Sequence, residues 1–149
     1  MDLTNSLMIK TAMKPYKRIG KPGETVLIIG DSLTESSIFE SFACAAKMLD
    51  LDPIILILQV LERDYSDPPL LVQEAAKKAD ILHYATTTGL VHSQFGRSIS
   101  KMGKKKIVSE GITAEMLLKG AALADMDAVY ELSNKVNKVW GEGKEVHIS

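Results

Sequence analysis

Three polar clusters in this sequence carry side chains suited to chemistry. Asp31, Ser32 and Thr34 follow a short apolar run at residues 26–29. Thr87 and Thr88 follow a second run at 81–85, with His92 close behind, and Glu110 follows a third at 107–109. Carboxylates, hydroxyls and an imidazole are the groups of acid–base and nucleophilic catalysis. Ser32 could attack a carbonyl only with a base and oxyanion donors beside it. It also stands three residues before Glu35, the spacing of a capping box, and the expected role is that cap. Asp31 could accept a phosphoryl group or bind magnesium, but it lacks an adjoining acidic partner.

The histidines are His83, His92 and His147. None is spaced from another, or from the single cysteine, as zinc ligands usually are. His83 and His147 fall in apolar runs that read as strands, so structural roles are expected for both. His92 opens a helical stretch beside Thr87 and Thr88 and is the best-placed imidazole for function. No metal-ligating and no catalytic residue is assigned to this chain.

These clusters need a scaffold that brings them together. Residues 26–29 are too short for a helix and rich in β-branched residues, which argues a buried strand. Ile38, Phe42, Ala45, Ala46 and Leu49 then recur at helical spacing. Further strands are expected at 54–60, 81–85, 107–109 and 145–148, with helices between them. Leu3, Leu7, Met8 and Thr11 suggest a leading helix that ends before Pro15, followed by a basic connector at 14–23. Asp67 can cap a helix with Pro68 in its first turn, and Gly103 should stop a helix over about 92–102. Lys104, Lys105 and Lys106 read as a solvated helix end. The alternation predicts an α/β fold: a three-layer sandwich with a mainly parallel five-stranded sheet, Rossmann-like or flavodoxin-like, in the order 2-1-3-4-5. Parallel strands place all their carboxyl ends on one side, so the three polar clusters should form one rim.

Composition narrows the classes. At 149 residues, one domain spanning 1–149 is expected. Hydrophobic residues make up 46% and charged residues 25%, as in ordinary globular proteins. A net charge of -1 gives no basic excess for nucleic acid. No apolar run approaches the roughly 20 residues that span a bilayer, and the first 14 residues make a poor signal peptide. A cytoplasmic protein without a membrane partner is the expectation. Cys44 can form no intrachain disulfide and is expected to be a buried thiol.

Two motifs bear on the first strand–helix turn. Gly30-Asp31-Ser32-Leu33 spells the signature of the GDSL hydrolases, and the chain resembles that family at these positions. The family's Gly-x-Asn-Asp segment has no counterpart, the asparagines being Asn5, Asn134 and Asn137. Its Asp-x-x-His appears only mid-chain, as Asp80-Ile81-Leu82-His83. The dinucleotide fingerprint needs three glycines in this turn, which holds only Gly30, and Asp31 would repel a phosphate there. No Walker motif occurs.

A longer resemblance runs over roughly residues 15–149. Lys21-Pro22-Gly23-Glu24 leads into the first strand, and Ala79-Asp80 precedes the third. Thr87-Thr88-Gly89-Leu90-Val91-His92-Ser93 is similar to a threonine-rich turn followed by His-Thr or His-Ser. Gly111-Ile112-Thr113-Ala114-Glu115-Met116-Leu117-Leu118-Lys119-Gly120-Ala121 is similar to a Gly-Val-Thr-Glu-Glu-Met-Leu-x-x-Gly-Ala segment. Ala124-Asp125-Met126-Asp127 and a helix at 129–140 follow in register. In order and spacing these pieces resemble the N-terminal domain of the aminopeptidase T-like metalloproteins. That family includes thermophilic leucyl aminopeptidases and iron-dependent 2,5-dihydroxypyridine 5,6-dioxygenases. The resemblance implies a divalent metal, iron or zinc, held by a C-terminal domain that would begin where this chain ends. It implies no cofactor in this chain, whose partners would be that domain or another subunit. The chain would be a pocket wall or subunit contact, as a fragment or a free-standing homologue. A small-molecule or protein-binding module is the second reading, a homo-oligomer a further expectation, and a GDSL-type esterase using Ser32 the third reading.

Overall fold

The computed structural model describes residues 3–145 and 147. Helix α1 spans Leu3–Ile19, strand β1 Thr25–Asp31, α2 Ser36–Lys47, β2 Asp52–Leu58, α3 Leu70–Lys78, β3 Ile81–Ala85 and α4 Gln94–Lys101. Strand β4 spans Lys105–Val108 and α5 Ala114–Leu118; a 3-10 turn at Gly120–Leu123 then leads to α6, Met126–Glu142.

The sheet has four strands among the described residues, all parallel, in the order β2-β1-β3-β4. The fifth strand expected at 145–148 is not among them. Glu145 and His147 are outside any strand, and residues 146 and 148 lie outside the described residues. Helices cover both faces. Val26 and Ile28 of β1 point into one core with Met8, Tyr16, Ile38, Phe42 and Leu117, which belong to α1, α2 and α5. Leu27 and Ile29 point into a second core with Val72, Ala76, Phe95 and Ile99, which belong to α3 and α4. The period-two alternation of β1 therefore feeds both layers. Full burial of each such side chain stabilises by about 1.5–3 kcal/mol.

Gly30 is where α2 comes closest to β1. A Cβ there would lie 2.1 Å from Phe39 Cε1, so a glycine lets the Phe39 ring lie on the strand.

Local signals were outweighed in several places. Helix α1 continues through Pro15 to Ile19, because Met8, Thr11, Ala12 and Tyr16 are buried along one face. That burial offsets the proline's missing donor. Residues 14–19 of the expected basic connector are thus helical, and residues 20–24 join α1 to β1. Lys105 and Lys106 are strand residues, not a solvated helix end. Lys105 Nζ lies 2.6 Å from Glu24 Oε1, and Lys104 Nζ donates to the Ala79 carbonyl at 2.7 Å. Cys44 is exposed. Strand β2 ends at Leu58 and lies on the sheet's edge, where Ile54, Ile55 and Ile57 are 50%, 41% and 58% exposed. An apolar run of this kind is typical of a strand buried on both faces, although the expected order 2-1-3-4-5 already placed it at the edge.

Candidate functional site

The carboxyl ends of β1, β3 and β4 converge, as parallel strands require, and bring the sequence's polar clusters to one rim. At its centre is Asp31, 1% exposed at the end of β1. Its Oδ2 accepts from the Thr87 N–H at 2.5 Å and from Thr87 Oγ1 at 2.8 Å. Its Oδ1 accepts from the Leu33 N–H at 3.0 Å. Thr34 Oγ1 donates to the Ala85 carbonyl at 2.8 Å, so the β1 and β3 turns are laced twice. Charge-assisted bonds to backbone N–H groups are among the stronger hydrogen bonds, and they consume the lone pairs a ligand would use.

Glu110 plays a matching part after β4. One oxygen accepts from the N–H groups of Leu90 and Val91, at 2.6 and 2.8 Å. Both acidic members of the rim are thereby committed to shaping the turn at 86–92. Within that turn Thr86 Oγ1 donates to the Thr88 carbonyl at 2.6 Å. Below it, burial and, secondarily, the Glu110 charge raise the Tyr84 phenol's pKa. Tyr84 Oη and Thr88 Oγ1 are buried with no hydrogen-bond partner among the described residues.

Ser32, Thr87 and His92 are exposed, whereas Thr34, Thr88 and Glu110 are half-buried. Ser32 is neither cap nor activated nucleophile. Helix α2 starts four residues later at Ser36, with Glu35 as its N-cap residue and no side-chain cap bond. Glu35 instead accepts from the Ala114 N–H at 3.2 Å. The capping-box reading fails because Asp31 takes the Leu33 N–H and turns the chain before the helix begins. Nor does a histidine serve Ser32: His83 is engaged elsewhere. The ring of His92 stacks edge-on to Tyr65 at 5.9 Å, and Arg97 donates to its carbonyl. His92 lies before α4, whose N-cap is Ser93, accepting from the Gly96 N–H at 3.0 Å.

The rim has a flank that the sequence did not announce. Asp64 accepts from the Gly89 N–H at 2.8 Å, and the Tyr65 N–H donates to the Gly89 carbonyl at 2.8 Å. Asp67, expected to cap α3, accepts from the Phe95 N–H at 2.7 Å at the start of α4. Pro69 is the N-cap residue of α3. The only available signal was compositional: a polar, proline-ended stretch too short to be a domain linker.

A cavity of about 970 Å³ lies between α1, β4 and the segment joining α5 to α6. Lys14, Arg18, Lys106, Ser109, Leu117 and Asp125 help line it. Lys14 Nζ crosses to the carbonyls of Ala122 and Ala124, at 3.1 and 3.0 Å. At its floor Ser109 Oγ lies 2.9 Å from His83 Nε2, and His83 Nδ1 lies 2.7 Å from the Tyr16 hydroxyl. This has the outline of a nucleophile, a base and an orienting group. The chemistry does not follow, because burial pushes the His83 pKa down to about 3. A base that weak cannot take a serine proton near neutral pH. The array is a structural tie between α1, β3 and the end of β4, and the structural role expected for His83 holds. His147 is exposed, 3.6 Å from Glu145.

Among the described residues no three His, Cys, Asp or Glu side chains converge as metal ligands would. No helix among them is long and apolar enough to cross a membrane.

No family model matches the sequence, and no curated protein does. Among solved structures, the chain is similar to 2,5-dihydroxypyridine dioxygenase from Pseudomonas putida, with a TM-score of 0.64 at 16% identity. This likeness establishes the fold. It covers 76% of this chain and 36% of the dioxygenase, so the chain spans little more than a third of that protein's length. At such an identity the likeness is distant.

Proposed function

We propose that the chain is the non-catalytic Rossmann-like half of a two-part metalloenzyme resembling the dioxygenase, as a fragment or a free-standing homologue. Its rim would form a pocket wall or subunit contact against the metal-bearing part. The observation that carries this reading is the state of the rim. Asp31 and Glu110, the carboxylates at the strand ends, are spent on backbone N–H groups. The groups left exposed are hydroxyls and one imidazole, which suit contact and orientation. Among the described residues no side-chain set fits an iron or zinc site, so no reaction step is assigned to them. The partial coverage of the dioxygenase supports the same reading by analogy of fold. So does α6, which has no buried residue and exposes Val129, Leu132, Val136, Val139 and Trp140.

Whether the partner chemistry is ring cleavage or aminopeptidase hydrolysis is decided by that partner and not by this chain. The roomy groove beside α1 favours a second reading, a small-molecule or protein-binding module. No observation favours an esterase at Ser32.

The test is metal analysis and turnover of this chain alone and of the chain joined to any His/Glu/Asp-bearing domain encoded in the same or the adjoining reading frame. Stoichiometric iron or zinc, with turnover of a dihydroxypyridine or a leucyl amide, is expected only for the joined form. Tightly held metal and turnover in the chain alone would overturn the reading.

A further inference from the structure

Strand β2 is apolar beyond what its place in the fold explains. Its pairing with β1 leaves its other edge without a strand partner among the described residues. Long apolar edges are normally guarded by charge, a bulge or proline, because they template pairing with another chain. Here Ile54, Ile55, Leu56 and Ile57 run unguarded, and Asp52 and Pro53, both at one end, have the character of guards.

The directions of the free backbone groups follow from two hydrogen bonds. The Asp52 N–H donates to Glu24 at 2.9 Å, and the Leu58 carbonyl accepts from Ser32 at 2.9 Å. Residues 52 and 58 thus face β1, and alternation along a strand turns 54 and 56 the same way. Residues 53, 55 and 57 present their backbone groups outward. Pro53, which has no N–H, sits where an inward donor is not needed.

We propose that β2 pairs antiparallel with β2 of a second copy of this chain about a two-fold axis through Leu56. In this register Ile55 and Ile57 of each copy exchange both backbone bonds with Ile57 and Ile55 of the other. A register centred on Ile55 would oppose Ile57 to Pro53 and lose a donor on each side. The side chains agree with the choice. Leu56 meets Leu56 and Ile54 meets Leu58 on the α3 face, and Ile55 meets Ile57 on the α2 face. Asp52 falls opposite Val60, so no like charges oppose each other. A two-fold contact must be self-complementary, and this edge is so in hydrogen bonds, apolar pairing and charge. The two sheets become one of eight strands.

The test uses the whole chain. Sedimentation at tens of micromolar should give twice 16.3 kDa for the wild type and the single mass for Ile57→Lys. Ile57 is 58% exposed in the single chain, so the variant's thermal midpoint measured as a monomer should not fall. Register is read by cross-linking in a Cys44→Ser background. Leu56→Cys places two thiols in a non-hydrogen-bonded pair, with Cα atoms about 4.5 Å apart and within disulfide reach. Gln59→Cys places them about 20 Å apart, at about 3.4 Å per residue. Mild oxidation should join the first variant at least tenfold faster than the second. A monomeric wild type, a dimer indifferent to Ile57→Lys, or equal cross-linking at the two positions overturns the proposal. So does an edge that becomes covered only when a metal-bearing partner is added.

Discussion

His83 should make the fold sensitive to acid in a window set by its own burial. The imidazole is fully buried, hydrogen-bonded at both nitrogens and packed with its centroid 4.0 Å from that of Phe42. Desolvation pushes its pKa down to about 3, against 6.5 in an exposed chain. Between those values the unfolded chain binds a proton that the folded chain refuses. Stability therefore rises with pH across this window; the group's contribution is complete above pH 6.5 and is lost as pH falls toward 3. Each pH unit inside the window is worth about 1.4 kcal/mol, so acidification to pH 5 should remove about 2 kcal/mol. The comparison is urea unfolding of the wild type and His83→Gln at pH 7.5 and pH 5. The variant loses about 1–3 kcal/mol at pH 7.5, because Tyr16 and Ser109 are left imperfectly paired. Carboxylates titrate alike in both proteins, so the difference between their pH dependences isolates His83. Wild type should lose about 2 kcal/mol more than the variant between the two pH values. Parallel losses would show that the folded protein accepts the proton and that the desolvation argument is wrong.

Asp31→Ala strands the Thr87 and Leu33 N–H groups at the rim and should cost about 2–3 kcal/mol in urea unfolding, far more than an exposed site; a change below about 0.5 kcal/mol would mean the carboxylate is free for a ligand. Ser93→Ala removes a formed N-cap and should cost about 1 kcal/mol, whereas Ser32→Ala should fall within about 0.5 kcal/mol of wild type. Thermal denaturation of the pair checks this, and equal losses would restore a capping role to Ser32.

The parts of this fold legible in the sequence are those where the local pattern and the tertiary environment agree. Strands β1 and β3 are short runs dominated by apolar residues and are buried on both faces, so the local pattern located them. The meeting of Asp31 with Thr87 followed from the parallel-strand rule without knowledge of any distance. Legibility ended where a residue's partner is distant in the chain. Pro15 was read as a helix end because a burial stripe spanning Met8 to Tyr16 outweighs one missing hydrogen bond. Lys105 belongs to a strand because Glu24, 81 residues earlier, meets its ammonium. Asp67 has the look of a cap and does accept from a helix N–H, but from Phe95 in the first turn of α4, beside the N-cap Ser93, rather than in the helix next to it. The β2 run has the look of a strand buried on both faces, yet it is largely exposed, because sequence reports that a strand wants cover, not what supplies it. The groove at Ser109 had no sequence signal, since it arises only where α1 packs near the chain beyond residue 112.

Helix α6 has a consequence for how the molecule breathes. Its 17 residues make a rod about 25 Å long. Its cap is Asp125, which accepts from the N–H groups of Asp127 and Ala128. Arg18, 5.3 Å over the Tyr130 ring, is a side-chain tie to α1. Unwinding this rod uncovers almost no apolar surface that water does not already touch. Its opening is therefore governed by helix propagation and not by the core. In the single chain its amide protons should exchange with solvent long before those of β1, and a protease should nick it while the sheet stays intact. Slowing of that exchange would then be a direct reading of whatever surface comes to lie on Leu132, Val136 and Trp140.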